Sequence, residues 1–453
     1  MAQLVIIGGS DAGISAAFRA REVDPSLGVT VVVADEYPNF SICGLPFFLS
    51  GEVEDWRTLA HRTIVEIEAA SIRLLLNCRA EAIDSRAKRV RARDRDGRVV
   101  ELGYDKLIIA TGAASVRPDM EGLDLPGVFC LRWMEDGFRI REFMERHRPE
   151  RAIILGSGYI GMEMADALTR KGLSVTVLLR SGRALKTVDA GLGEVIRSEL
   201  TRNGVRLIDR IGVTAIEKRG RFLVARNTQE IPEKGEMVLA ATGARPESAL
   251  AQGAGVTTGI RGAIKVNRAL ETNIEDVYAA GDCVETWHRL LGKYTYLPLG
   301  TTAHKQGRVA GENAAGGKAQ FAGSLGTQSV KIFDLVVART GLLEQEARDA
   351  GFDPLTVDLE TWDHKVYYPG ATPLRIRITG DRKTGRLLGA QMVGHHKAEV
   401  SKRIDVFATA LFNEMTVSSL NDIDLSYTPP LSSPWDPVQQ AAQEWNRKKE
   451  SCK

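Results

Sequence analysis

The chain has 453 residues, which corresponds to about three domains at ~150 residues each. Its hydrophobic content of 43% and charged content of 26% exclude collagen, a long disordered chain and a coiled-coil rod. Lys and Arg number 60 against 58 Asp and Glu. This nearly balanced charge gives no electrostatic reason to expect a nucleic-acid partner.

The sequence contains no evident membrane or secretion signal. No apolar run approaches the ~20 residues of a membrane span, and the N-terminus lacks the basic start and cleavage site of a signal peptide. The cysteines show no CxxC or zinc-type spacing. We therefore predict a cytoplasmic protein without a membrane partner, in a reducing compartment, with at most one working thiol. The five cysteines are Cys43, Cys78, Cys130, Cys283 and Cys452.

A first dinucleotide-binding unit is predicted at the N-terminus. A strand over residues 4–7 leads into Gly-Gly-Ser-Asp-Ala-Gly at 8–13, then a helix start and a second strand over 29–33. Such a glycine turn aims helix amides at a pyrophosphate, and an acid after the second strand reaches a ribose hydroxyl. Serine replaces the middle glycine of GxGxxG, so the motif alone is weak evidence. Its candidate ligands are Gly8, Ser10, Asp11, Gly13 and Asp35.

A second unit repeats this pattern with an intact motif, Gly-Ser-Gly-Tyr-Ile-Gly at residues 156–161. Each unit is followed by an antiparallel meander and an apolar strand that ends in Ala-Thr-Gly, at 110–112 and 241–243. A third apolar strand ends in Gly281 and Asp282, where an acid could reach a ribityl or phosphate oxygen. The chain therefore contains one module twice.

The pattern changes from about residue 323. Alternating segments over 374–378 and 386–393 predict an antiparallel hairpin, and residues 400–411 have helical spacing. Asp436 and Pro437 predict the start of a final helix. The predicted fold class is α/β, with two Rossmann-like domains and a C-terminal α+β domain. The expected boundaries are 1–116 with 245–322, then 117–244, then 323–453.

These motifs resemble the pyridine nucleotide-disulfide oxidoreductase family over essentially the whole chain. Phe-Ser-Ile-Cys-Gly-Leu-Pro at 40–46 is similar to its single-cysteine branch of coenzyme A-disulfide reductases, NADH oxidases and NADH peroxidases. Residue 48 is Phe, so the second cysteine of a CxxxxC pair is absent. The resemblance implies FAD in the first domain, a nicotinamide nucleotide in the second, and a homodimer formed by the third.

The resemblance also implies cofactor-binding residues beyond the first glycine motif. For FAD they are Thr111, Gly112, Gly281, Asp282 and Ala303. For the nicotinamide nucleotide they are Gly156, Gly158, Tyr159, Gly161, Glu163 and Gly243.

The second module also predicts which nicotinamide nucleotide binds. NAD sites place an acid at the end of the second strand, whereas NADP sites place arginine near the 2′-phosphate. Here that position is Leu179, and Arg180 and Arg183 follow. We therefore expect NADPH to be preferred, with NADH possible.

Cys43 is the predicted redox thiol. If a helix begins just after it, the positive helix end favours the thiolate; the alternative is a buried structural cysteine. The resemblance to coenzyme A-disulfide reductases implies a mixed disulfide on Cys43 and two tyrosines of the partner subunit as proton donors. Tyr427 matches one of them, and Tyr368 is preferred over Tyr367 for the other.

The predicted function is FAD-dependent, NAD(P)H-driven reduction of a small-molecule disulfide. Two departures argue against coenzyme A itself as the substrate thiol. Ile42 stands where coenzyme A-disulfide reductases usually have asparagine, which favours a less polar thiol, and His304 stands where the single-cysteine branch usually has asparagine. Asp11 stands where oxidases and peroxidases carry histidine. An oxidase or peroxidase that cycles through a cysteine sulfenic acid, and a flavin-containing redox sensor, remain alternatives. No metal is expected, because the pair at 395–396 lacks a third ligand at suitable spacing.

Overall fold

The computed structural model describes residues 2–451, so Cys452 lies outside the described residues. Three five-stranded sheets dominate this part of the chain, two of them parallel and one antiparallel. Each carries its own buried apolar cluster. No helix in the described range is long and apolar enough to cross a membrane.

The first parallel sheet holds the first glycine motif. Its strands are nearly continuous apolar runs, because parallel sheets are covered on both faces. Helix α1 (Asp11–Val23) follows the glycine turn and buries its small residues against this sheet. In spatial order the strands are Val277–Ala279, Lys106–Ile109, Gln3–Ile7, Gly28–Val32 and Ile72–Leu75.

The second parallel sheet has the same plan. Helix α2 (Tyr159–Arg170) follows its glycine turn. In both sheets the strand that leads into Ala-Thr-Gly pairs with the strand that leads into the glycine motif, which confirms the predicted repeat. In spatial order the strands are Arg206–Asp209, Ser174–Leu179, Arg151–Leu155, Met237–Ala240 and Val128–Phe129.

Antiparallel strands follow each module. Directly after the two Ala-Thr-Gly segments, Ala113–Ser115 pairs with Ala244–Pro246, where the chain enters and leaves the second module. The domain boundaries given above stay a prediction. The other antiparallel strands are Cys78–Asp84, Arg89–Asp94 and Val99–Gly103; Val213–Arg219, Phe222–Asn227 and Glu233–Gly235; and Thr286–His288 with Lys293–Thr295.

The C-terminal unit is an antiparallel sheet covered by helices. Trp445 is fully buried there, and its indole N–H donates to the Leu355 carbonyl at 2.8 Å. Asp436 Oδ1 accepts from the Val438 amide at 2.9 Å, which confirms the predicted helix start. The strands are, in spatial order, Gln328–Ile332, Leu335–Gly341, Leu387–His395, Pro373–Asp381 and Pro354–Trp362, and the helices are Val400–Phe412, Val417–Asn421 and Pro437–Ser451.

Helix α3 (Gly300–Ala314) packs on α1 with its backbone in direct contact. A β-carbon on Gly307 would lie 2.2 Å from the Ala12 carbonyl oxygen, and one on Gly311 would lie 2.2 Å from that of Ala16.

The remaining α-helices are Leu45–Ser50, Ile64–Ala69, Met134–His147, Ala190–Arg202, Ala249–Gly253 and Glu344–Asp349, and the 3-10 turns are Ile42–Gly44, Trp56–Leu59, Ile260–Gly262 and His396–Ala398.

We expect Gly311→Ala to destabilise the protein by about 1–3 kcal/mol, because the added methyl group forces α1 and α3 apart. The matched control is Gly191→Ala in another helix, where a β-carbon meets no atom within 4 Å. Thermal unfolding and FAD retention after gel filtration measure the effect. Equal losses in both variants would contradict the role given to this contact.

Candidate active site

The first glycine turn has a geometry that only glycine permits. Gly8 has φ +115°, and a β-carbon there would lie 2.1 Å from the Ala110 carbonyl oxygen. A β-carbon on Gly13 would lie 1.9 Å from the carbonyl oxygen of Gly8. Ser10 precedes α1 without a side-chain cap, which leaves the first helix amides for an anionic ligand.

The second glycine turn repeats this geometry. Gly156 has φ +111°, and a β-carbon there would lie 2.4 Å from the Ala241 carbonyl oxygen. A β-carbon on Gly161 would lie 2.4 Å from the Gly156 carbonyl oxygen. Gly158 is exposed, and a β-carbon there meets nothing within 4 Å, so its backbone is open to a ligand. Both turns fit a dinucleotide pyrophosphate.

Acids lie near the first turn, as FAD binding requires. Asp35 accepts from the Tyr37 amide at 2.9 Å, and burial raises the pKa of its carboxyl group. Asp282 Oδ2 accepts from Arg132 Nη2 at 2.6 Å, and Arg132 Nε donates to the Ala113 carbonyl at 3.1 Å. The sequence analysis missed Arg132, which lies in no recognisable motif and comes to Asp282 only through the fold.

The threonines of the two Ala-Thr-Gly segments donate hydrogen bonds to the chain segments that connect the two modules. The Thr111 hydroxyl donates to the Glu247 carbonyl, and the Thr242 hydroxyl donates to the Val116 carbonyl at 2.6 Å. Gly112 and Gly243 both have positive φ, at +71° and +123°. These hydrogen bonds stabilise the connecting segments. The cofactor roles of Thr111, Gly112 and Gly243 stay predictions.

Cys43 lies in the 3-10 turn before the short helix Leu45–Ser50 and is exposed, unlike buried Cys78 and Cys283. Desolvation by the surrounding protein raises the pKa of its thiol to about 11. A helix does begin directly after this turn, at Leu45; that its start favours the Cys43 thiolate stays a prediction.

Charged groups of both modules act on Cys43. After desolvation, Glu163 and then Asp11 raise the pKa of the thiol, whereas Arg132 lowers it. Glu163 is on α2 of the second module, and Asp11 is the first residue of α1. The fold thus brings Cys43 within electrostatic range of the helix that follows each glycine motif.

Glu163 and Tyr159, both on α2, have raised pKa values. Burial raises the pKa of Glu163 to about 7, with Lys331 opposing the shift and Asp166 adding to it. Burial also raises the pKa of Tyr159, whose hydroxyl hydrogen-bonds Thr187 Oγ1 at 2.8 Å. A carboxyl group that titrates near neutrality is typical of functional sites.

The arginines predicted to bind NADPH lie beside the second glycine motif. Arg180 and Arg183 are exposed, and the Arg183 carbonyl accepts from Ser157 Oγ at 2.8 Å. In the adjacent parallel strand, Asp209 lies opposite Leu179. Its carboxylate accepts hydrogen bonds from Arg197 at 2.7 and 2.9 Å. That acid is therefore already neutralised by a partner.

The choice between Tyr367 and Tyr368 stays a prediction. Desolvation and then the neighbouring Tyr427 raise the pKa of Tyr367. Tyr368 instead packs edge-on against His364, with ring centroids 5.8 Å apart. All three tyrosines are exposed, and no hydrogen bond within residues 2–451 joins them to Cys43.

Asp334 lies beside His395 and His396, although it is distant in sequence. Spacing alone therefore missed this third group. Asp334 and His396 are exposed to solvent, and the cluster lies on the C-terminal unit.

The family models confirm the class that the motifs predict. Residues 2–307 match the pyridine nucleotide-disulphide oxidoreductase model, and residues 327–437 match the dimerisation domain of the same family. The chain belongs to this family, and its cofactors are FAD and NAD(P)H. It is an oxidoreductase with the α/β fold predicted from its sequence.

Similar proteins narrow this class. An NAD(P)H sulfur oxidoreductase (CoA-dependent) of Pyrococcus abyssi is 37% identical over 96% of each chain. A coenzyme A disulfide reductase of Staphylococcus haemolyticus is 31% identical, over 97% of this chain and 98% of the other. The solved structure of an NAD-dependent persulfide reductase from A. fulgidus has a TM-score of 0.95 at 36% identity, over 99% of this chain and 84% of that one.

We expect Glu163→Gln to lower the pKa of Cys43, because it removes the carboxylate with the largest electrostatic effect on the thiol. At about pH 8, where Glu163 is ionised, Cys43 should then react with iodoacetamide about threefold faster or more. Mass spectrometry of the Cys43 peptide measures the rate. Glu142→Gln, on an exposed helix face, is the control; an unchanged or slower rate in Glu163→Gln alone would contradict the prediction.

Proposed function

We propose that the protein reduces a low-molecular-weight disulfide or persulfide with NAD(P)H, through a mixed disulfide on Cys43. One observation carries the proposal: an accessible cysteine lies where charged groups of both dinucleotide modules act on the same sulfur. The names of the similar proteins, which act on sulfur compounds or on coenzyme A disulfide, support the same reaction.

The residues of the first module suit FAD and those of the second suit a nicotinamide nucleotide. Bound FAD supplies a two-electron relay between the nicotinamide hydride and the disulfide. The protein's own part is sulfur exchange: the Cys43 thiolate attacks one sulfur of the substrate, the substrate S–S bond breaks, and one thiolate leaves. Two electrons and one further proton then release the second thiol and regenerate Cys43.

The leaving thiolate requires a proton, and we propose that the Tyr367–Tyr427 pair supplies it. The influence of Tyr427 on the pKa of Tyr367 favours Tyr367 over Tyr368 as the partner of Tyr427. Both lie in or near the matched dimerisation domain and are exposed in the single chain. This supports a homodimer in which each subunit offers its tyrosines to the Cys43 of the other.

NADPH is proposed as the preferred reductant, because Arg180 and Arg183 are exposed while Asp209 is paired with Arg197. The thiol is proposed to be less polar than coenzyme A, because apolar Ile42 precedes the cysteine. The predicted cytoplasmic location and absence of a nucleic-acid partner rest on the sequence alone.

An acceptor panel tests the proposal. The purified flavoprotein should oxidise NADPH faster with a small disulfide or persulfide as acceptor than with oxygen or peroxide. With the same disulfide or persulfide, it should oxidise NADPH faster than NADH. Cys43→Ser should lower kcat/KM for the disulfide by about 1,000-fold or more, as for loss of an enzymatic nucleophile. Cys130→Ser, at a half-buried cysteine, is the control. Full activity in Cys43→Ser, or turnover with oxygen or peroxide only, would contradict the proposed reaction.

Mixed dimers test the tyrosines. Cys43→Ser and Tyr427→Phe chains should each be weakly active as homodimers, since each active site lacks one group. After subunit exchange, half of the sites in a mixed dimer contain both intact residues, so activity should return to about half of the wild-type value in that dimer. Exchange verified by mass without recovery would show that Tyr427 is not donated between subunits or not needed.

A further inference from the structure

Three side chains that are far apart in sequence converge beside the start of α1. Asp11 is the first residue of α1, His304 is on α3, and His61 follows the 3-10 turn Trp56–Leu59. Nε2 of His304 lies 3.3 Å from Asp11 Oδ1, and Nε2 of His61 lies 4.0 Å from the same oxygen. One ligand atom from each residue lies within 4.8 Å of the other two.

The central carboxylate oxygen has no hydrogen-bond partner. Asp11 Oδ1 is shielded from solvent and accepts no hydrogen bond from the described residues. The other oxygen faces the beginning of α3, where a β-carbon on Gly300 would lie 3.3 Å from Oδ2. A shielded carboxylate oxygen that accepts no hydrogen bond is costly unless a positive charge lies beside it.

His304 is held in an orientation that suits coordination. Its Nδ1 shares a hydrogen bond of 2.8 Å with Ser15 Oγ, one turn along α1 from Asp11. With Nδ1 engaged, Nε2 points towards the carboxylate. A hydrogen bond to the second ring nitrogen is the usual support of a metal-ligating histidine.

We propose that Asp11, His61 and His304 form a binding site for one divalent transition-metal cation, such as Zn²⁺. Two imidazole nitrogens and one carboxylate oxygen are ligands that such ions prefer. With bonds of about 2.0–2.2 Å, ligand atoms in a tetrahedral site lie about 3.3–3.6 Å apart. The Asp11–His304 distance already fits, and His61, 4.0 Å from the same oxygen, has an exposed side chain that can move towards the ion.

The site shares Asp11 with the first dinucleotide cradle. There the glycine turn presents backbone amides at the start of α1, whereas the cation would use the Asp11 carboxylate. Three protein ligands leave one coordination position for water or for a sulfur ligand. Because Asp11 also acts on Cys43, a bound cation would lie close to the redox thiol.

The flavoprotein is first treated with a chelator, and Zn²⁺ is then titrated into it by calorimetry. Metal analysis after dialysis measures how much Zn²⁺ each chain retains. We expect one equivalent of Zn²⁺ per chain in the wild-type protein and in Cys43→Ser. His61→Ala and His304→Asn should lose this equivalent. Ser15→Ala should weaken binding about 10- to 100-fold, the usual cost of losing the hydrogen bond that orients a ligand.

The control is His396→Ala in the other His–Asp cluster, which should bind Zn²⁺ like the wild-type protein. Circular dichroism verifies that each variant is folded. Binding that is lost in Cys43→Ser or in His396→Ala, but kept in His61→Ala, would overturn the assignment, as would the absence of any stoichiometric binding to the wild-type protein.

Discussion

The active-site region depends on the backbone contact between α1 and α3. Gly307 and Gly311 let α3 approach the carbonyl groups of Ala12 and Ala16, at a distance where a β-carbon has no room. The start of α1 therefore lies beside the first turns of α3, and Gly281 lies against Ala12 and Ala303. The glycine turn, the acid at the strand end and the α3 terminus belong to distant parts of the sequence. This one close contact makes them neighbours.

The second consequence of the fold is electrostatic. Because the dinucleotide module occurs twice, a carboxylate from each copy acts on Cys43, and only Arg132 opposes them among the strongest influences. Near neutral pH, Glu163 is itself partly protonated, since burial raises its pKa to about 7. Protonation of Glu163 removes one of the charges that disfavour the thiolate. The titrations of the two groups are therefore linked, so a proton gained by one makes it easier for the other to lose its own.

The sequence predicted the parts of the site that are local in the chain. Both glycine turns, the repeated Ala-Thr-Gly strands and the start of the last helix depend on neighbouring residues, so spacing revealed them. The acidity of Cys43 could not be predicted in this way, because Glu163 approaches it only through the packing of two modules. Arg132 and His61 were missed for the same reason. The choice between Tyr367 and Tyr368 depends on which side chain the loop turns towards Tyr427.

Asp11 and His304 were noted separately as departures from the patterns of related families, and in the fold they face each other at 3.3 Å. A carboxylate at the start of α1 would be poorly compensated beside asparagine, which carries no charge, whereas imidazole can neutralise it or share a cation with it. Each residue therefore supplies the physical reason for the other. The two departures that the sequence shows separately are thus neighbours in the fold, one at the start of α1 and the other in the first turns of α3.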